Sequence, residues 1–260
     1  MVKPLWLLNT LRCMKVSIIT VTYNAEKTLE RTMQSVANQT YCDIEHIVVD
    51  GASKDGTVDI AKRYNAIVTS EPDKGLYDAM NKGLKLATGD YVVFLNAGDK
   101  LHAADTIDSV VRVAQEENMP GVIYGDTDIV DDEGKFLYVR RLRPPKALTW
   151  KSFKSGMLVC HQSFYLRREI AQEYDLTYRF SADFDWCVRC MKEGKRRGMR
   201  NVAVTKNSSI VTLTDYLSEG MTTANHKASL KERFNIMAKH YGWISTVAMH
   251  IWFVFRTVIK

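Results

Sequence analysis

The chain lacks the glycine-rich loops that most often announce a bound phosphate. No G-x-x-x-x-G-K-[ST] occurs, and no G-x-G-x-x-G follows the first apolar run. Both loops work by bringing backbone N–H groups against phosphate oxygens, so their absence argues against a P-loop NTPase and an ordinary dinucleotide fold. A nucleotide would be held by side chains and a metal instead. Long apolar runs are also missing. The tail Trp243–Phe255 is broken by Ser245, Thr246 and His250 and falls short of the ~20 residues a spanning helix needs. It reads as a helix that either packs on the core or lies in a membrane interface between basic flanks. Near the start, Leu5–Leu8 is too brief for the apolar region of a secretory signal. Residues 1–13 read as an extension, with Met14 as the natural start.

Cysteine is sparse: five residues, odd in number and scattered, which fits a reducing, cytoplasmic compartment rather than a disulfide framework. The pair Cys187 and Cys190 has no second C-x-x-C to complete a zinc site, and helical spacing simply puts both thiols on one face. Repeats, low-complexity tracts and obvious linkers are absent, so one domain is expected over residues 14–222. Within it, a nucleotide-binding half runs to about residue 126 and an acceptor half follows, with C-terminal helices over 223–260. The net charge of +6 is clustered at Arg140, Arg141 and Arg143 and again from Lys192 to Arg200. Such clusters suit anionic partners, or are solvated charge between elements. They lack the interleaved aromatics that stack bases, so no nucleic acid is expected as a partner.

What is present is a regular alternation. Lys15–Thr22 is a β-branched run, reading as a strand buried on both faces. Apolar residues at helical spacing follow over Ala25–Gln39. Further strands are expected at Ile44–Val49, Ala66–Thr69 and Tyr91–Leu95, with helices at Val58–Tyr64 and Leu76–Ala87 between them. Strand and helix in strict alternation means parallel pairing with right-handed crossovers, an α/β fold. Beyond it, strands are expected at Val122–Tyr124, Thr127–Val130, Phe136–Arg141 and Cys160–Leu166, and helices at Ala182–Glu193 and Ala224–His240.

Polar clusters recur just after the strands: Tyr23-Asn24, Asp50–Ser53, Glu71–Gly75 and Asn96–Asp99. In open α/β sheets ligands bind outside the carboxyl ends of the strands, so these clusters define a candidate site. Asp99 stands where a carboxylate and a diphosphate would together make an oxygen-rich site for Mg²⁺ or Mn²⁺. It is equally a turn aspartate ahead of a helix starting near Ala104. Asp183 and Asp185 open a helix, where one could deprotonate an acceptor hydroxyl; on spacing alone, helix capping is the commoner role. His161 is a candidate contact to phosphate or acceptor, as is Asp185; a lone histidine is more often structural.

In order and at natural spacing, KVSIITVTYN (15–24), IVVDGASKDGT (47–57), EPDKGLYDAMNKG (71–83) and TGDYVVFLNAGD (88–99), followed by CHQSFYLRR (160–168) and SADFDW (181–186), resemble family 2 glycosyltransferases. The resemblance is nearest to the branch serving bacterial exopolysaccharide assembly, of the colanic-acid type. It implies the GT-A fold: a Rossmann-like, mostly parallel central sheet flanked by helices, here with a C-terminal helical tail. It implies that Thr22, Tyr23, Asn24 and Asp50 contact the nucleotide, that Asp73, Lys74, Gly75, Asn81 and Asn96 help hold it, that Asp99 binds the metal, and that Asp183 is the general base of an inverting transfer. It further implies a UDP-sugar donor and a lipid-linked or polysaccharide acceptor on the inner face of the cytoplasmic membrane, with the protein peripheral to that surface. Two departures stand out. Asp50 is followed by Gly51 where many relatives carry a second acid, and Asn96-Ala97-Gly98-Asp99 leaves one carboxylate in the metal motif. The Q-x-x-R-W motif of processive synthases is absent, which favours single addition. The alternative is a catalytically silent nucleotide-sugar-binding scaffold at a membrane.

Overall fold

The structure, a computed structural model, describes residues 14–218 and 226–258. The extension assigned to residues 1–13 lies outside the described residues. The first strand, β1 (Val16–Thr22), is buried at every position, as its β-branched run requires. It pairs in parallel with β2 (Ile44–Asp50) on one side and β4 (Tyr91–Phe94) on the other; β3 (Ile67–Ser70) adds in parallel to β2. The crossovers are α1 (Leu29–Ala37), α2 (Thr57–Lys62) and α3 (Leu76–Leu86). A two-residue strand, β5 (Lys100–Leu101), and α4 (Thr106–Glu116) follow β4.

Later strands complete the sheet. β6 (Val122–Tyr124), β9 (Phe164–Arg167) and β10 (Asn201–Ala203) extend it to seven strands in the order β10-β6-β9-β4-β1-β2-β3. Only β9 runs antiparallel to its neighbours. A second sheet, in the order β5-β13-β7-β8, is built from β5 with β7 (Asp126–Val130), β8 (Phe136–Val139) and β13 (Thr212–Leu217). Between β10 and β13 lies a small hairpin of β11 (Thr205–Lys206) and β12 (Ser209–Ile210). Helix α5 (Ala182–Arg196) precedes β10, and α6 (His226–Tyr241) and α7 (Trp243–Val258) end the described chain.

Strand alternation sorts the core onto two faces. Ile19, Val21, Ile47, Val49, Val92 and Phe94 pack toward α3 and α5. Val16, Ile18, Tyr91 and Val93 pack the other way, against Ile107 and Val110 of α4. Two sequence expectations shift for local reasons. The first helix starts at Leu29 rather than Ala25: a turn precedes it, with the Thr28 and Leu29 N–H groups donated to the Ala25 carbonyl (3.0 and 2.9 Å) and those of Asn24, Ala25 and Glu26 to Ser53 (2.8 Å), Thr57 (2.7 Å) and Asp55 (3.2 Å). The expected strand from Cys160 begins only at Phe164, since His161–Ser163 form a 3-10 turn with side-chain partners of its own.

The apolar tail is helical, and α7 meets α6 through Phe234, whose ring lies 5.1 Å from Trp243 and 4.9 Å from His250. Ile244 is 90% exposed, and Trp243, Ile251, Trp252 and Phe255 are exposed beside it. No helix among the described residues is long and apolar enough to cross a membrane.

Helix α3 sits close on the sheet because Gly83 faces β1. A Cβ there would stand 2.4 Å from Ile19 Cγ2. Gly83→Ala is therefore expected to destabilise the fold by about 1–3 kcal/mol through overpacking, even though alanine favours helix by up to ~1 kcal/mol. Equilibrium urea unfolding checks this; an unchanged or raised midpoint contradicts the close approach.

Candidate active site

The carboxyl ends of β1, β2 and β3 converge on Asp50. Its buried carboxylate accepts from Thr22 Oγ1 (3.0 Å), Ser70 Oγ (2.6 Å), the Ser53 N–H (2.9 Å) and the Ser53 hydroxyl. Burial would raise its pKa, but these donors outweigh burial and hold it below the ordinary carboxylate value. Asp50 is thus a knot joining three strands, and its oxygens are committed. Asn24 adds a stitch, its Oδ1 accepting the Lys54 N–H at 3.0 Å while its own backbone takes φ +48°. Asn81 is likewise committed, since its amide exchanges both hydrogen bonds with the backbone of Tyr174 (3.1 and 2.6 Å).

Beside this knot the surface is open. Tyr23 is 64% exposed, and Gly51 is flanked by the Tyr23 ring and the Asp73 carboxylate. A Cβ on Gly51 would lie 2.5 Å from Asp73 Oδ2, so Asp73 occupies the space that a second acid after β2 would enter. Its other oxygen accepts the Gly75 N–H at 2.7 Å, and Gly75 takes φ +116°, a conformation that suits glycine at the start of α3. Lys74 is exposed, with its N–H donated to Asp78 at 3.0 Å.

Asp99 is not exposed at the sheet edge, as the sequence suggested. It is 3% exposed, with Oδ1 accepting the Leu217 N–H (3.0 Å) and Oδ2 accepting Gln162 Nε2 (2.9 Å). Burial pushes its pKa up to about 6 against the lowering pull of these donors and of His161. Gln162 is fixed in turn, its amide oxygen accepting the Cys160 thiol at 2.7 Å. Next to it, His161 Nδ1 lies 3.4 Å from Asp183 Oδ2. Two consecutive residues of one turn therefore hold Asp99 and Asp183 together. Asp183 also receives the Tyr77 hydroxyl at 3.3 Å. Burial alone would raise the Asp183 pKa; the hydrogen bond and charge of His161, with Arg233, keep it below its ordinary value. His161 Nε2 and Asn96 Oδ1 are buried polar atoms with no hydrogen-bond partner.

The sheet order, the strand-end clusters and the Asp99–Asp183 linkage can now be set beside known proteins. The family model "Glycosyl transferase family 2" matches residues 17–175. The chain belongs to glycosyl transferase family 2. This transferase is 36% identical over 183 residues to a PGL/p-HBAD biosynthesis glycosyltransferase of Mycobacterium tuberculosis, an alignment covering 67% of this chain and 68% of that one. It is 30% identical over 194 residues to the amylovoran biosynthesis glycosyltransferase AmsB of Erwinia amylovora, covering 68% and 64%. Among solved structures, S. aureus TarS matches with a TM-score of 0.67 at 16% identity, covering 92% of this chain and 72% of that one. A mannosyltransferase from Pyrobaculum calidifontis, solved with GDP-Man and Mn²⁺, matches at TM-score 0.55 and 18% identity, covering 91% and 74%. The fold is GT-A.

Several residues of this transferase fall elsewhere than the sequence suggested. Asp185 is fully buried on the helix face away from Asp183, bound by His240 Nε2 (2.8 Å), Arg189 and Lys239 (3.4 Å). Its oxygens serve helix packing, which removes it from the acceptor contacts. Arg140 spends its guanidinium on the carbonyls of Leu142 and Met157 (both 2.7 Å), and Arg143 pairs with Asp126. Arg196 and Arg197 pair with Glu193. These arginines are engaged by carbonyls and acids of the chain itself. Cys187 and Cys190 are free thiols buried on one face of α5.

Among the described residues one group has metal-ligand spacing: His102, Asp128 and Asp215, whose ligand atoms lie within 4.8 Å of one another. Lys100 already sits 3.0 Å from Asp215, so cations of the chain itself balance these acids. Gln162 and Tyr77 are what sequence reading missed. Both are ordinary residues whose importance comes only from tertiary position.

Because the folded pKa of Asp99 is raised, the folded chain binds this proton more tightly than the unfolded chain. Its contribution is fully present below the unfolded value of 3.8 and is lost as pH rises through about 6. The stability of Asp99→Asn relative to the unsubstituted protein is therefore expected to be greater at pH 7.5 than at pH 4, by about 1–3 kcal/mol. Urea unfolding at the two pH values measures it; a pH-independent difference contradicts the assignment.

Proposed function

We propose that this transferase makes single, inverting additions, moving a sugar from a nucleoside-diphosphate sugar, with UDP the expected carrier, to a hydroxyl of a lipid-linked or polysaccharide acceptor. One observation carries the reading. Asp183 is a partly buried carboxylate held below its ordinary pKa, linked through His161 and Gln162 to Asp99, the acid of the metal motif. A base held ionised, and a carboxylate able to take a divalent ion that would stabilise the leaving diphosphate, suit a direct displacement at an anomeric carbon.

In the proposed step the acceptor oxygen attacks the anomeric carbon from the face opposite the diphosphate. The new glycosidic C–O bond forms as the bond from that carbon to the phosphate oxygen breaks, and the electron pair leaves with the nucleoside diphosphate. Asp183 takes the hydroxyl proton. Tyr77 donates to Asp183 Oδ1 and His161 lies against Oδ2, so both oxygens are oriented before the acceptor arrives. The residues fit a divalent ion held largely by substrate phosphates. Asp99 keeps a further lone pair on each oxygen, and Asn96 Oδ1 is a buried acceptor without a partner. When bound there, Mg²⁺ or Mn²⁺ would supply Lewis-acid stabilisation of the departing diphosphate.

On the donor side, the exposed Tyr23 ring and the Asp73 carboxylate are the direct contacts we propose for the base. Asp50, Thr22, Asn24 and Asn81 act by holding the loops, with Lys74 and Gly75 shaping the start of α3. The exposed Trp243, Ile244, Ile251, Trp252 and Phe255 of α7 give the protein an apolar stripe for the membrane interface, where a lipid-linked acceptor would be met on the cytoplasmic face. The competing reading, a silent nucleotide-sugar-binding scaffold, draws on the single carboxylate of the metal motif. Transfer or donor hydrolysis by purified protein excludes it.

Asp183→Asn is expected to lower kcat by about 10²-fold or more while leaving donor affinity, read by calorimetry, within a few-fold of the original. Wild-type turnover in this variant would overturn the base assignment. Asp73→Asn is expected to do the reverse, weakening UDP binding about tenfold or more through loss of a charged acceptor, with kcat at saturating donor largely kept. Unchanged UDP affinity would remove Asp73 from the site.

A further inference from the structure

Helix α6 reaches the candidate base from behind. The Glu232 carboxylate accepts three consecutive backbone N–H groups of the segment leading into α5: Arg179 (2.8 Å), Phe180 (2.8 Å) and Ser181 (2.9 Å). One turn earlier, Ser229 Oγ pairs with Ser181 Oγ at 2.9 Å, and both serines are buried. Charge-assisted bonds of this kind are roughly twice as strong as neutral ones. At the far end of the same helix, His240 and Lys239 hold Asp185. The first turn of α5 is thus clasped on two sides by α6.

The clasp bears on Asp183. An acidic residue in a first helical turn ordinarily folds back on nearby backbone N–H groups. Here Ser181, at the N-cap, makes no side-chain cap bond, and the approach to the helix is met by Glu232. The Asp183 carboxylate is shared between the Phe184 N–H of its own turn and the Tyr77 hydroxyl and His161. We infer that Glu232 is a positioning residue for sugar transfer: by clasping residues 179–181 it holds the first turn of α5 so that the Asp183 carboxylate stays on the cleft side. This rests on the reading of Asp183 as the base.

A residue that merely anchored α6 would affect melting, donor binding and turnover together. A positioning residue acts on the chemical step. Glu232→Gln keeps the length but offers one acceptor oxygen and turns an amide N–H toward backbone donors. It is expected to lower kcat ten- to a hundredfold, the order of effect seen for small misplacements of a reacting group, with donor KM and UDP affinity unchanged. The acid limb of its kcat–pH profile is expected to move to higher pH, because His161, Arg233 and the Phe184 N–H hold Asp183 below its ordinary value and a loosened first turn weakens those contacts. Glu232→Asp keeps the charge on a shorter stem and is expected to recover part of the rate. It also serves as the reading variant where Glu232→Gln melts below the assay temperature. Combining Glu232→Gln with Asp183→Asn is expected to cost nothing beyond Asp183→Asn alone. Wild-type kcat with an unmoved acid limb in Glu232→Gln overturns the inference, as does a loss of kcat matched by equal losses in UDP binding and melting temperature. Turnover retained by Asp183→Asn would instead overturn the base reading.

Discussion

The site depends on a single 3-10 turn that has to satisfy two acids at once. His161 and Gln162 are adjacent in the chain, and their side chains reach Asp183 and Asp99 respectively. Locally the turn has the Ser163 N–H to Cys160 carbonyl bond (2.9 Å) and the Cys160 thiol on Gln162, and the surrounding strands add the rest. Thr214 Oγ1 of β13 donates to the Gln162 carbonyl at 2.8 Å, and Ser163 Oγ donates to the Asp126 carbonyl at 2.9 Å while pairing with Thr127. The small sheet that carries Thr214, Asp126 and Thr127 is therefore a support for the turn as much as a cover for the cleft. It also supplies the Leu217 N–H that closes the other side of Asp99. A buried carboxylate costs several kcal/mol unless hydrogen-bonded, and both oxygens of Asp99 are. Its raised pKa shows that the compensation is incomplete.

Beneath Asp183 the packing is aromatic and rigid. Tyr77 stacks on Tyr174 with ring centres 5.3 Å apart, and Tyr174 stacks on Trp186 at 4.9 Å, with Phe94 of β4 edge-on to both Tyr174 and Trp186. The stack links α3, the loop before α5, and α5 itself. It fixes the Tyr77 hydroxyl that reaches Asp183, and Asn81 of the same helix locks the Tyr174 backbone. Stiff aromatic contacts suit this place because the proposed base would lose much of its advantage if it wandered by an ångström.

How much of this could be read from the chain depends on the kind of interaction. The β-branched run at Val16–Thr22 and the alternation that follows carry the parallel core, because burial on both faces leaves a continuous apolar signature. The polar clusters after the strands mark the sheet edge that carries the candidate site, although Asp50 and Asp99 within them are buried behind hydrogen-bond partners. Roles within the clusters were not legible. Asp50 and Asn81 look like ligands in sequence, yet their hydrogen bonds are internal, because only the third dimension shows that Ser53, Ser70 and Tyr174 arrive at the same point. Asp183 and Asp185 are alike in spacing and opposite in fate: one-residue steps of a helix turn through about 100°, so residues two apart face different sides. Strand β13 escaped reading because TLTDYL interleaves polar with apolar positions and its partners come from distant segments.

The departures from the family pattern compensate one another locally. Gly51 removes an acid, and Asp73 from the loop before α3 fills the vacated volume, which only a residue without a Cβ permits. The metal motif keeps one acid, and within it Gly98 leaves room for Leu217, whose Cδ2 lies 2.7 Å from where a Gly98 Cβ would be, so β13 can approach closely enough to bond Asp99. In both cases a glycine leaves room for a side chain of a neighbouring segment. The remaining acid is then held by a neighbouring segment rather than by its own loop. Charge lost from the strand-end loops is replaced by tighter placement of the charge that remains. The burden on the segments that do the placing grows accordingly: the turn 161–163, strand β13 and the clasp of α6 on α5.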